Sequence, residues 1–188
     1  ETRNLEDVIA EHNDIVMQYK KDFTRYETED RKPYLTKIYD LIPAELNNSN
    51  KRFNFADLKK GLQYSRSEDN FIWLANAGVA LPVYNVAAPT IPLLLNAKSS
   101  LFKLFLSDVG MLTSLYGRAT KKQLLSDDQD INNGALYENV VAQELKVHGF
   151  KLYYYNSKKF GELDFVIEYK GKVLPIEVKS GKNYPRHS

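Results

Sequence analysis

Leu5, Val8, Ile9, Ile15, Val16, Tyr19 and Phe23 recur at spacings of three and four, which predicts a helix over residues 4–26 buried along one face. Leu35, Ile38, Leu41 and Ile42 repeat the pattern over 34–46, where Pro43 is expected to interrupt it, and Asn47-Asn48-Ser49-Asn50 reads as a loop. Two shorter helices follow, at 55–64 and 68–76, around a turn at 65–67, with Ser67 as N-cap and Gly78 as the stop of the second. The runs VALPVYNV (79–86) and LFKLFLSD (101–108) then read as strands at hairpin distance. Residues 118–133 are polar, dotted with Asp127, Asp128 and Asp130, and read as a linker. Beyond it, GALYENVVAQELKVHGF predicts an amphipathic helix, KLYYYNS a strand and GELDFVIEYKGKVLPIEVKSG a hairpin.

The period thus switches from three and four residues to two along the chain, which predicts an α+β protein. Its expected division is a helical connector (1–52), a winged-helix-like region (53–130) and a small α/β domain (131–188). Helix, turn, helix, strand, strand is the order of a winged helix, whose second helix can enter a DNA groove. Here that helix opens with Glu68 and Asp69 and carries no basic residue, so packing is the favoured use of the unit.

Composition narrows the classes. The 188 residues carry 26 basic and 24 acidic side chains, a net charge of +2, so any nucleic-acid partner must be met by local patches. Charge is unevenly spread: residues 1–30 sum to −5 and residues 136–188 to +3, which makes the C-terminal third the expected partner of an anion. With no cysteine there is no disulfide framework, thiolate metal site or thiol nucleophile, and the chain is expected in the cytoplasm. His12, His148 and His187 are scattered outside any zinc pattern. No apolar run is long enough for a membrane span, and no G-x-x-x-x-G-K-[ST] loop occurs to cradle a nucleotide. Both ends read as cut from a longer protein.

The candidate chemistry lies in the last third. In Pro175–Lys179 alternation sends Glu177 and Lys179 to one face and Ile176 and Val178 to the core. A turn at Gly171 pairs this strand with the preceding one, so Asp164 approaches Glu177, and Glu138, one helical turn before Val141 and Ala142, is expected to point to the same place. Carboxylates of this kind are the ligands a hard Mg²⁺ or Mn²⁺ ion prefers, with Asp164 and Glu177 as the metal pair. Lys179 is then placed to serve the water or the phosphate. Glu162 reads as outward or supporting. Tyr153, Tyr154 and Tyr155 alternate, so at least one face of their strand is expected inside, and Trp73 reads as core.

The order Glu138, Asp164, Glu177-Val178-Lys179 resembles the D-x(n)-E-x-K motif of the PD-(D/E)XK phosphodiesterases, the superfamily of restriction endonucleases and Holliday junction resolvases. GALYENVVAQEL and YYYNSKKFGELDFVIEYKGKVLPIEVKSG are similar to a C-terminal domain of unknown function attached to AAA+ ATPases in bacterial and archaeal ATP-binding proteins. FKLFLSDVGMLTSL and SEDNFIWLANAGVALPVYNV are similar to that group too. The resemblance implies a truncated restriction-endonuclease-like domain with Glu138, Asp164, Glu177 and Lys179 as catalytic residues, and ATP bound only in an N-terminal domain absent from this sequence. It also implies a nucleic-acid substrate, DNA before RNA. The alternative is a catalytically inactive module that binds nucleic acid or a partner protein under control of the ATPase.

Overall fold

The computed structural model describes residues 4–25, 32–125 and 133–179. The described elements run α1 (Leu5–Arg25), α2 (Lys32–Asn47), α3 (Phe55–Leu58), a 3₁₀ turn (Tyr64–Arg66), α4 (Glu68–Asn76) and β1 (Ala80–Val86). After a second 3₁₀ turn (Leu93–Asn96) come β2 (Ala97–Leu106), α5 (Val109–Leu115), α6 (Arg118–Leu125), α7 (Gly134–Val147), β3 (Tyr153–Ser157), β4 (Gly161–Tyr169) and β5 (Lys172–Ile176).

Ile9, Val16 and Phe23 are buried at seven-residue intervals, which places them on one face of α1. There Phe23 meets Tyr39 and Trp73 edge to face at 5.5 and 5.6 Å, so Trp73 packs on the core as expected. Pro43 does not interrupt α2. The helix continues to Asn47, whose side-chain amide donates to the Pro43 carbonyl at 2.8 Å, because Ile42 and Leu46 on its inner face are fully buried. The helix expected over 55–64 shrinks to α3, capped by the Asn54 side chain, and ends before a turn at Gly61 with φ +76°. Ser67 precedes α4 but does not cap it with its side chain; its hydroxyl donates back to the Tyr64 carbonyl at 3.2 Å. Gly78 does stop α4, at φ +71°, with the Val79 amide donating to the Leu74 carbonyl.

Where a linker was expected over 118–133, the described part forms α6, built from the good helix formers Ala119, Lys121, Lys122, Gln123 and Leu124. Asp127, Asp128 and Asp130 lie outside the described residues.

All five strands join one sheet in the order β2-β1-β3-β4-β5. The pairs β1–β2, β3–β4 and β4–β5 are antiparallel, and β1 pairs with β3 in parallel. The β1–β2 hairpin, read as a wing, thus forms one side of the sheet that β3–β5 continue. The reason is the parallel pairing Tyr84↔Tyr153 to Val86↔Tyr155, a long-range contact that periodicity does not report.

Helices α2, α4, α5 and α7 lie against the first half of this sheet or one another. Between them runs the main core, where Phe53, Phe71 and Phe102 cluster with Phe53–Phe71 and Phe71–Phe102 centroids both 5.0 Å apart. Tyr154 points into this core, while Tyr153 and Tyr155 turn to a smaller cluster with Val86, Leu93 and Val166, as alternation requires. No described helix is long and apolar enough to cross a membrane.

Candidate functional site

A single side chain brings α7 to the site. Asn139 is fully buried on α7, and its amide both donates to the Leu106 carbonyl and accepts from the Leu106 amide, each at 2.9 Å. It thereby satisfies the backbone at the end of edge strand β2 as another strand would. The preceding residue, Glu138, is consequently held over β2, 3% exposed.

The residue it meets is Lys103, completely buried in the middle of β2. The Lys103 ammonium lies 3.7 Å from Glu138 Oε2, 2.7 Å from Glu162 Oε1 and 3.9 Å from Asp164 Oδ1, and 5.1 Å from the centroid of the Tyr154 ring. The other oxygen of Glu138 is ion-paired with Lys51. Three carboxylates therefore face two ammonium groups, Lys103 and Lys51. Burial pushes the Tyr154 hydroxyl up to about 12; the Arg52 charge opposes this and the Glu162 charge adds to it.

A shift of register interrupts β4 next to the acidic side chains. On β3 Tyr153 and Tyr155 are two positions apart, whereas their partners on β4, Val166 and Leu163, are three apart. The extra residue is a bulge at Asp164–Phe165, the device by which a strand redirects a side chain. Glu162 and Asp164, two residues apart, face Lys103 together as alternation requires, and the bulge turns Phe165 to the same side while Leu163 and Val166 face the other. Glu162, read from the sequence as outward or supporting, makes the shortest of the three approaches.

Asp164 also accepts the Val178 amide at 2.8 Å, which ties β4 to the chain just past β5. That chain turns Ile176 and Val178 toward the core and leaves Glu177 and Lys179 exposed, paired with each other at 2.5 Å. The structure therefore gathers Glu138, Glu162 and Asp164 around the buried Lys103 ammonium, Glu162 and Asp164 partly exposed, and places Glu177 and Lys179 at exposed positions beyond them.

Sequence reasoning missed Lys103 and Lys51. The signal for Lys103 was present: one cation inside the apolar run Leu101-Phe102-Lys103-Leu104-Phe105-Leu106, a residue type that is almost never fully buried unless paired. Lys51 gave no such signal, yet it holds a left-handed backbone at φ +51° while engaging Glu138.

The oxygen donors suit a hard divalent cation in kind. Their arrangement does not hold one: among the described residues no group of three or more Asp, Glu or His side chains is placed to share an ion, and a lysine occupies the middle of the carboxylates. A separate groove of about 520 Å³ between β1, α4 and the start of β3 is lined by Leu81, Tyr84, Leu94 and Tyr153 with Lys146 and Lys151, and no carboxylate reaches it.

Comparison with known families gives two matches. Residues 1–122 match a domain of unknown function, DUF8612, and residues 133–188 match another, DUF4143, often found C-terminal of AAA ATPases. No curated protein and no solved structure matches the chain.

Proposed function

We propose, for a chain that belongs to the DUF8612 family and ends in a DUF4143 segment, that the carboxylate cluster on β4 and α7 belongs to a nuclease-like phosphodiesterase site governed by an ATPase module. The observation that carries this reading is the convergence of Glu138, Glu162 and Asp164 on one buried point, with Val178 of the Glu177-Val178-Lys179 run tied directly to Asp164. A structural ion pair needs one acid per base; three acids from a helix and a bulged strand are more than packing requires.

A nuclease of this kind would call for Mg²⁺ or Mn²⁺, with Asp164 and Glu177 as the expected ligands and DNA as the nucleic-acid partner, but with Lys103 among the acids and Glu177 exposed beyond them the carboxylates as they stand do not fit an ion. The roles of the chain's own residues follow from where they sit. Asp164, fixed through Val178, sets the position of the Glu177–Lys179 segment. Lys179, more than half exposed, offers its ammonium to a phosphate, and Glu138 keeps negative charge on the helix side of the sheet. The helices before β1 and the β1–β2 hairpin serve as a winged-helix-like support used in packing, since α4 opens with two acids and Glu68 already accepts the Tyr64 hydroxyl.

A second reading is a non-catalytic binding module, favoured by the absence of a three-ligand ion site among the described residues. The experiment that separates them is cleavage of double- and single-stranded DNA by the full-length protein with Mn²⁺, with chelator, and with Asp164→Asn. Cleavage that needs the ion and Asp164 is the expected result. DNA bound but left intact under every condition selects the binding module.

A further inference from the structure

The turn at Gly61 and the start of α4 enclose a basic groove that shares no residue with the carboxylate cluster. We propose that this groove binds the terminal phosphate of a phosphate monoester, held by Lys59, Lys60, Arg66 and the side-chain amide of Asn70.

Charge is the first argument. The groove holds about 270 Å³, and its lining includes Tyr34, Lys59, Lys60, Arg66, Ser67 and Asn70, with no carboxylate among the described residues. Lys59, Lys60 and Arg66 are exposed, and among the described residues none of the three has an ion pair or a side-chain hydrogen bond. Acids close by in the sequence are engaged elsewhere: Asp57 accepts from the Asn54 side-chain amide at 3.0 Å, and Glu68 from the Tyr64 hydroxyl at 3.1 Å. Three cations left together around one concavity make a place of positive potential that an anion fills.

Asn70 is the second, and it separates a built site from a patch of surface lysines. It is 7% exposed, it lines the same groove, and its side-chain amide makes no hydrogen bond among the described residues, the oxygen being buried without a partner. Buried polar groups are as a rule hydrogen-bonded, so an orphaned amide at the wall of a groove marks a place for a ligand. Asn70 also stands in the first turn of α4, which Ser67 does not cap with its side chain, and the backbone dipoles there add to the positive potential.

The chemistry of the lining selects among anions. A carboxylate brings one charge and two oxygens, and a backbone diester brings one charge and no proton to give. A phosphate monoester carries about −1.5 to −2 charges near pH 7, the closest match to three cations. Its free oxygens accept from the cations and the amide N–H groups, and its singly protonated form also donates to an amide oxygen. Size agrees with a terminal group, because the groove lies below the range of roughly 300–1,000 Å³ that encloses a whole small ligand. Such a group ends a small phosphorylated molecule or a phosphorylated nucleic-acid strand.

The test is titration of the full chain with inorganic phosphate in a chloride buffer, followed by NMR of the backbone amides. The expected result is saturable shifts at Gly61, Arg66 and Asn70. Replacing Lys60→Ala and Arg66→Ala together, at exposed positions that the fold does not depend on, should lower the affinity by roughly tenfold or more, a difference of about 1.4 kcal/mol or more. Asn70→Leu, which keeps all three cations, should weaken binding several-fold. No shift at these residues, or wild-type affinity in either variant, would overturn the proposal. Two oligonucleotides of one sequence, with and without a terminal phosphate, identify the source. Several-fold tighter binding of the phosphorylated strand, lost in the double variant, makes a strand end the ligand; phosphate bound there and neither strand makes it a small phosphorylated molecule. Equal binding of both strands at these residues would mean that backbone diesters are read, and would overturn the proposal.

Discussion

Glu45 shows how strongly this interior acts on one ionisable side chain. It is 2% exposed at the end of α2, and burial raises its carboxyl from the ordinary 4.5 to about 7, against the Asn54 amide that donates to it at 3.0 Å. The protonated form is therefore the one the fold prefers. Stability from this group is fully present below about pH 4.5 and falls as pH rises through about 7. Glu45→Gln should flatten that part of the profile, which urea unfolding at pH 5 and pH 8 measures; an unchanged pH dependence would exclude Glu45 as its source. Lys179 predicts the opposite pattern, function without stability. At 57% exposure its removal to Ala should leave stability within about 0.5 kcal/mol of wild type. Any DNA cleavage, however, should drop by on the order of a hundredfold, as follows from loss of a charged group facing the reacting phosphate. Cleavage at the wild-type rate would remove Lys179 from the site. Of the acids gathered here, Glu138 was legible from its helix face and Asp164 from strand alternation, whereas Glu162 read as outward or supporting; Lys103 was missed because a lone cation is outweighed by the apolar run around it.

At the scale of elements, the hinge of the arrangement is the contact of α7 with β2. Asn139 makes two buried hydrogen bonds to one backbone unit, and neither partner has water to fall back on. Asn139→Ala should cost about 2–4 kcal/mol, the penalty of leaving a strand amide and carbonyl unpaired. Asn139→Asp should cost a comparable amount, since a carboxylate cannot donate to the Leu106 carbonyl. Thermal unfolding measures both; a loss below about 1 kcal/mol would mean that α7 is positioned by packing alone. Long helices and most strands were legible from periodicity, and the Lys170–Gly171 turn from its glycine, which sits at φ +72°. The bulge at Asp164–Phe165 was not, because it is defined by the register against β3 and strict alternation assumes there is none. That extra residue turns Phe165 into the main core beside the acids.

For the whole molecule the controlling fact is that two family segments share one sheet. β3 is bonded to β1 on one side and β4 on the other, and Leu152 and Tyr154 are buried in the same core as Phe102 and Phe105. Residues 133–188 expressed alone should therefore lack a cooperative thermal transition by circular dichroism, since their sheet would lose its β1 neighbour and α7 its anchor at Leu106. A cooperative melt of that fragment would show that it is an independent unit. Sequence patterning placed a boundary near residue 130. It could not report a parallel pairing between strands nearly seventy residues apart, which is a property of the assembled chain. The central claim, that the acids around Lys103 belong to a nuclease-like site, is tested most directly by DNA cleavage with the full-length protein and its Asp164→Asn variant in the presence of Mn²⁺. The account predicts cleavage by the wild type that the variant loses. DNA left intact by the wild type, or cut equally by both proteins, would contradict it.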